Sequence, residues 1–394
     1  MRYIGRLISD FVKKADMVLL LLCTVTTIFG IVAISSATAN ISNGRHVTVQ
    51  SFALLLGILI YVVLTLIDVD IIAERRELLL IFCIGFIGIL MIWGVDNGSG
   101  NKSWLNVPFI GIDVQPAEIC KIFFIIILAK IMSVNQNSLS SPLTVGKMGV
   151  LTAFFFVYIV YISSDAGVAL TYIFIFISMA FVGGVNLIWF LLALGVLLVA
   201  VPVVWNITLP NGQSLIDAYQ KDRIMMLFDP TIDPEGKGVR WQTNLSLRAI
   251  QNGGVSGQGL YEGTMVKGNA IPAQHTDFIF SAIAEELGML GCIIALLLLS
   301  AIVIRCIYVG VKSRNYMNRM ICCGIAGMLL FQIVINVGMC LGVMPVIGLT
   351  LPFISYGGSS IVTMFMAMGV VSGIHMRPAP DGNARYVRPR QYLS

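Results

Sequence analysis

The chain has 394 residues, of which 57% are hydrophobic and only 11% charged, with a formal net charge of +5 and a mean hydropathy of +0.90. A soluble domain carries about 25% charged residues, so this composition in water would leave large apolar patches uncovered, whereas a bilayer solvates them directly. These figures exclude a nucleic-acid binder, a coiled-coil scaffold and a secreted disulfide domain, and predict a multi-spanning membrane protein.

Met1 to Asp16 carries four basic residues ahead of a long apolar run with no small-residue cleavage site, which reads as a retained first span. Since a helix needs about 20 residues to cross the hydrocarbon core, apolar runs bounded by charge or by Gly, Pro and Asn mark the spans. Ten fall at about 17–37, 47–67, 78–95, 114–133, 147–162, 166–184, 187–206, 276–304, 320–342 and 353–375. With the N-terminus in the cytoplasm, sixteen Lys and Arg lie inside and only Arg45 and Lys102 fall in short outer loops, the bias of the positive-inside rule. An even number of spans returns the C-terminus to the cytoplasm.

The expected architecture is an all-α polytopic membrane protein, one membrane-embedded domain over 1–394 with about ten transmembrane helices. It carries a large extracytoplasmic loop, 207–275, between the seventh and eighth spans, and a basic cytoplasmic tail, 376–394. The loop holds six basic and six acidic residues with apolar patches between them, so ordered amphipathic pieces on the outer membrane surface are expected. The eight cysteines lie mostly in apolar runs with no C-x-x-C and read as small hydrophobes.

Ionisable groups at the edge of an apolar span are costly and therefore informative. Glu118 and Lys121 open the fourth span behind Pro116, about one helical turn apart. They read either as a helix-start acid with a lysine snorkelling to the headgroups or as the wall of a polar cavity between helices. The loop carries Arg223, then Phe228-Asp229-Pro230, then the run Asn252 to Gly263, where glycine richness suits either a phosphate cradle or close backbone packing. No G-K-[ST] follows, so it is not a P-loop.

Asp277 begins the eighth span where loop meets membrane, followed by Glu285 and Glu286, which lie about 80° and 180° around the helix and need separate explanations. A helix N-terminus lowers a carboxylate's pKa while burial raises it, and the sequence leaves the sign open. Met344 to Ser360 interrupts an apolar region with Pro, Gly and Ser, backbone that at membrane depth belongs inside protein or beside a polar cavity. His46, His275 and His375 are too scattered in sequence to suggest a metal cage.

Together these runs resemble the shape, elongation, division and sporulation family of bacterial membrane proteins, of RodA and FtsW type, over essentially the whole chain. The resemblance rests on Gln115-Pro116-Ala117-Glu118 with Lys121, on Arg223 before Phe228-Asp229-Pro230, and on Gly257-Gln258-Gly259. It rests also on Thr276 to Phe280 with Glu285-Glu286-Leu287-Gly288, and on Pro352 to Ser360. Three departures are Lys102-Ser103 ahead of Trp104 where the family has Arg just before the tryptophan, Ser163-Ser164-Asp165 in place of Gln-Pro-Asp, and Ala273-Gln274 after Pro272 in place of Glu.

The resemblance implies a ten-span fold with cytoplasmic termini and a glycosyltransferase that polymerises lipid II into peptidoglycan, partnered by a class B penicillin-binding protein. The implied catalytic residue is Asp277, with Trp104, Glu118, Lys121, Arg223, Gln258, Lys267, Ser355 and Ser359 as substrate contacts. No organic cofactor is implied; a divalent cation, Mg or Mn, is a candidate, with no ligands assigned. The expected chemistry is inverting transfer from a lipid pyrophosphate, with Asp277 as base. The competing readings are a lipid II flippase, suggested by interrupted helices and buried charge, and a scaffold for the penicillin-binding protein.

Overall fold

The computed structural model describes residues 11, 13–41, 44–95, 102–106, 113–206, 218–225, 233, 238 and 240–377. An apolar run in a bilayer closes its backbone hydrogen bonds within itself, which favours helices. The helices are α1 (Met17–Ala37), α2 (Arg45–Leu66), α3 (Val69–Glu74), α4 (Arg76–Gly88), α5 (Leu90–Trp93), α6 (Pro116–Val134), α7 (Pro142–Ser163), α8 (Ala166–Gly183), α9 (Leu187–Asn206), α10 (Ala218–Met225), α11 (Trp241–Gly253), α12 (Thr264–Lys267), α13 (Ile279–Lys312), α14 (Tyr316–Cys340) and α15 (Gly358–Met376). Between α5 and α6 two short antiparallel strands, β1 (Leu105–Asn106) and β2 (Asp113–Val114), pair Leu105 with Val114 and Asn106 with Asp113.

Each of the ten apolar runs becomes a helix, α4 and α5 together serving the third. Among the described residues eight of these are long and apolar enough to cross a membrane. The other two are α6, which carries Glu118, Lys121 and Lys130, and α9, whose apolar stretch is Leu187–Ala200. The chain is a multi-pass, all-α membrane protein, with one small two-stranded sheet among the described residues. The start of the 207–275 loop, Phe228-Asp229-Pro230 and the basic tail beyond Arg377 lie outside the described residues.

Caps set the helix starts. Asp16, Ser141, Asp165 and Asn315 each accept a backbone N–H from the first turn of α1, α7, α8 and α14. α15 sits deepest and packs most closely on α2, because glycines let the backbones approach. A Cβ at Gly57 would lie 2.8 Å from the Phe365 ring, and one at Gly369 would lie 2.9 Å from the Tyr61 carbonyl oxygen. At one end Arg305 Nε donates to Asp16 Oδ2 at 2.8 Å and the Tyr61 hydroxyl donates to the Asp16 carbonyl at 2.7 Å, tying α13, α1 and α2. α9 is the peripheral helix: Trp189 Nε1 donates to the Ser140 carbonyl, and Leu191 to Val199 are exposed throughout.

Two span starts, those of α13 and α15, differ from the sequence expectation in ways that bear on the site. α13 starts at Ile279, so Asp277 precedes the span, in a turn where the Thr276 and Phe278 N–H groups both donate to the Ala273 carbonyl. α15 starts at Gly358 because Leu351 to Ser355 forms its own turn, with buried Phe353 held at φ +63°. α11, within the long loop, packs on α13 and α14. Its buried face is Thr243, Ser246, Ala249 and Gly253, small residues that suit close packing on protein, and Ser246 Oγ lies 2.7 Å from the Cys340 carbonyl as donor.

Candidate active site

Two interrupted segments are joined backbone to backbone. The Tyr356 N–H donates to the His275 carbonyl at 2.8 Å, and Ser355 Oγ donates to the Thr276 carbonyl at 2.6 Å while accepting from the Leu351 N–H at 2.8 Å. Gln50 of α2 locks the same turn, donating from Nε2 to the Ser355 carbonyl and accepting the Gly357 N–H on Oε1. The polar groups of this irregular backbone are thus satisfied by protein groups.

These joints enclose a cavity of about 790 Å³. Its walls are Arg45 and His46 at the start of α2, Ser103, Trp104 and Asp113 from the hairpin region, and Gln115 and Glu118 at the start of α6. Asp165, the His275-Thr276-Asp277 turn, Ile347 to Thr350 and Tyr356 to Gly358 complete it. Just ahead of β1, the Trp104 carbonyl accepts the Val95 N–H at 2.8 Å in a separate antiparallel bridge. Gln115 organises the neighbouring wall: its N–H donates to Ser359 Oγ at 3.1 Å and its Nε2 to Asp165 Oδ2 at 2.8 Å.

Lys121 is fully buried, with Nζ 2.6 Å from Glu118 Oε1. That decides between the two sequence readings: the lysine does not snorkel, and the pair backs a polar cavity. Glu118 Oε2 is buried without a protein partner among the described residues. A close cation of this kind offsets part of the cost of burying the carboxylate.

Burial pushes the Asp277 carboxyl up to about 6, and the negative charge of Asp165 adds to the rise, while a hydrogen bond from Thr276 and the positive charge of Arg223 pull it down. The direction is upward because burial outweighs the Thr276 hydrogen bond and the Arg223 charge. Asp165 is likewise raised to about 6 by burial, against the opposing hydrogen bond from the Val168 N–H. Burial lowers His275 to about 4, helped by His46.

The structure brings Asp277, Trp104 and Glu118 onto one cavity and sets Lys121, Ser355 and Ser359 directly behind its walls. Arg223 Nη1 donates to the Val346 carbonyl at 2.8 Å, bracing the Ile347 to Thr350 wall. Gln258 and Lys267 stand apart from the cavity lining. Gln258 Oε1 accepts the Thr264 N–H, and the exposed Lys267 pairs with Glu262 at 3.3 Å. The glycine-rich run is a packing device: a Cβ at Gly257 would lie 2.1 Å from the Glu286 carbonyl oxygen, and the Gln258 and Gly259 N–H groups donate to the Glu285 and Glu286 carbonyls.

The two glutamates have separate tasks, as their angular positions required. Glu285 accepts the Met265 and Val266 N–H groups, each at 2.9 Å, and so caps α12; Glu286 accepts from Ser36 of α1. Sequence reasoning missed Arg45, His46, Asp113 and His275 as cavity residues and met Asp165 only as a departure from a motif. The histidines, far apart in the chain, are neighbours in space: the His46 and His275 ring centroids are 4.9 Å apart and both rings touch Tyr356. Only folding reveals this, since neither position carries a local signal. Even so, among the described residues no three His, Cys, Asp or Glu side chains are placed to hold a metal ion.

Comparison with known proteins identifies the family. Residues 16–379 match the cell cycle protein family FTSW_RODA_SPOVE. The chain is 30% identical over 322 residues to peptidoglycan glycosyltransferase MrdB of Escherichia coli strain K12, covering 81% of this chain and 83% of that one. It is 31% identical over 368 residues to stage V sporulation protein E of Bacillus subtilis strain 168, covering 91% and 96%. A chain solved in a study of how a peptidoglycan synthase complex coordinates polymerization and crosslinking superimposes with a TM-score of 0.78 at 28% identity, covering 93% of this chain and 99% of that one. A match over residues 16–379, nearly the whole chain, makes this protein a member of the FtsW, RodA and SpoVE family of cell cycle proteins.

Proposed function

We propose that this protein is a peptidoglycan glycosyltransferase that polymerises lipid II, with Asp277 as the general base. The observation that carries the reading is the convergence of Asp277, Trp104 and Glu118 from distant parts of the chain on one cavity among membrane helices. There a lipid tail can stay in the bilayer while its head group enters a polar chamber. The names of relatives such as MrdB point the same way.

In the proposed step the 4-hydroxyl of one sugar attacks the anomeric carbon of another. The hydroxyl proton passes to the Asp277 carboxylate, the new glycosidic bond forms, and the bond to the lipid pyrophosphate breaks with its electron pair leaving on phosphate. A single displacement on an α-linked donor gives a β-linkage. A carboxyl at about 6 is ionised at neutral pH yet basic enough to accept a proton. Arg223, close enough to lower Asp277, and buried Lys121 supply positive potential toward the leaving group. The described residues do not fit a metal cage built from protein ligands alone, and no step here passes through a metal.

The reading also places both termini in the cytoplasm, following the Lys and Arg distribution, and gives the protein a class B penicillin-binding partner, in keeping with the synthase-complex neighbour. The test is glycan polymerisation from labelled lipid II by the purified full chain with its partner, against Asp277→Asn. Loss of polymer in a well-folded variant is expected. Polymerisation within a few-fold of wild type would remove Asp277 from the mechanism. Partner-free transport of lipid II across vesicles, lost in the variant, would put the flippase first.

A further inference from the structure

Asn336, near the end of α14, is fully buried and stands outside the cavity lining, yet its amide touches two parts of the cavity wall. Nδ2 donates to the Asp277 carbonyl at 2.8 Å and to the Leu349 carbonyl at 2.7 Å. Both partners are acceptors only, so the nitrogen of the amide faces them and both of its hydrogens are used. The first carbonyl that α13 itself employs is that of Phe278, which accepts the Ser281 and Ala282 N–H groups. The Asp277 carbonyl therefore depends on α14, where Asn336 and, more weakly, Cys340 Sγ at 3.7 Å reach it.

The second partner belongs to the segment facing the carboxyl. Gly348, next to Leu349, has φ +73°, and a Cβ there would come within 3.8 Å of Asp277 Oδ2. One NH₂ group thus holds both sides of the gap in which that carboxyl sits. We propose that Asn336 is a positioning residue, setting the separation between Asp277 and the Ile347 to Thr350 wall through these two carbonyls. The proposal rests on the reading of Asp277 as base.

The experiment measures kcat and KM for lipid II polymerisation between about pH 5 and pH 8, with thermal stability, for the full chain with its partner. It compares wild type, Asn336→Leu, Asn336→Gln and Asp277→Asn. Asn336→Leu keeps the volume and loses both donors; Asn336→Gln keeps both donors one methylene further out. Displacement of a reacting group by about 1 Å costs up to about 100-fold. The expected result is kcat down about 10- to 100-fold in Asn336→Leu, with KM within two-fold and the acid limb shifted to lower pH, because a loosened wall admits water. Asn336→Gln should recover part of kcat, and carries the test by itself if Asn336→Leu does not fold. Wild-type kcat per folded molecule with an unmoved acid limb in the folded variants would reduce Asn336 to a structural residue. Activity in Asp277→Asn would instead sink the underlying reading of the base, a separate result.

Discussion

Asp165 and Asp277 line one cavity from different helices' approaches, and the charge on Asp165 helps raise the Asp277 carboxyl to about 6. A base must be ionised to act, so polymerisation should fall as pH drops through about 6. Asp165→Asn removes the neighbouring charge but keeps a side chain able to cap α8. Its acid limb should lie at lower pH than wild type, read from kcat/KM against pH. An unmoved limb would uncouple the two carboxylates.

Asp277→Asn should lose activity without losing stability. The native carboxyl titrates near 6 and the unfolded one near the ordinary 3.8, so the native state holds the proton more tightly between these values. Wild type therefore loses stability as pH rises through that window, on the order of 3 kcal/mol at full size, and the amide loses none. Thermal unfolding should favour the variant more at pH 8 than at pH 5. Equal differences at both would contradict the raised pKa.

Removing Lys121 should harm folding as well as activity, because its fully buried ammonium is the ion-pair partner of the buried Glu118 carboxylate. Leaving one member of such a pair typically costs about 3–5 kcal/mol. Lys121→Met should lower the melting temperature, and adding Glu118→Gln should restore most of it while activity stays low. A stable, fully active Lys121→Met would show that neither cation nor pair is needed.

Gly253→Ala tests the packing of α11. Its Cβ would lie 1.8 Å from the Ala284 carbonyl oxygen, a backbone clash that no rotamer relieves. The expected outcome is a drop of at least several degrees in the melting temperature of the purified protein, with lower membrane yield. Unchanged melting would mean that α11 is not docked on α13.

Arg223→Ala should reduce polymerisation by releasing the Val346 carbonyl and removing positive charge near Asp277. Arg223→Lys keeps the charge on a single-point donor and should restore part of the rate. Full rescue by Lys would assign the role to charge alone.

The sequence by itself determined the class, the spans and the chain order of the motifs. Met17 to Ala37 was bounded correctly because an apolar helix in lipid satisfies its own backbone, so hydropathy and caps suffice. Asp277 and Glu118 were legible because charge at a span edge is too costly to be incidental. The meeting of His46 with His275, the presence of Asp165 and Asp277 on one cavity, and the clamp of Asn336 across Asp277 and Leu349 were decided only by tertiary structure. So was the placement of Gln258 and Lys267, expected as substrate contacts and found away from the lining of this cavity. Periodicity and composition act through neighbours within a few residues, whereas a cavity is made of side chains whose proximity depends on how whole helices dock. Docking here was set by glycines at close crossings and by buried amides and hydroxyls meeting distant carbonyls.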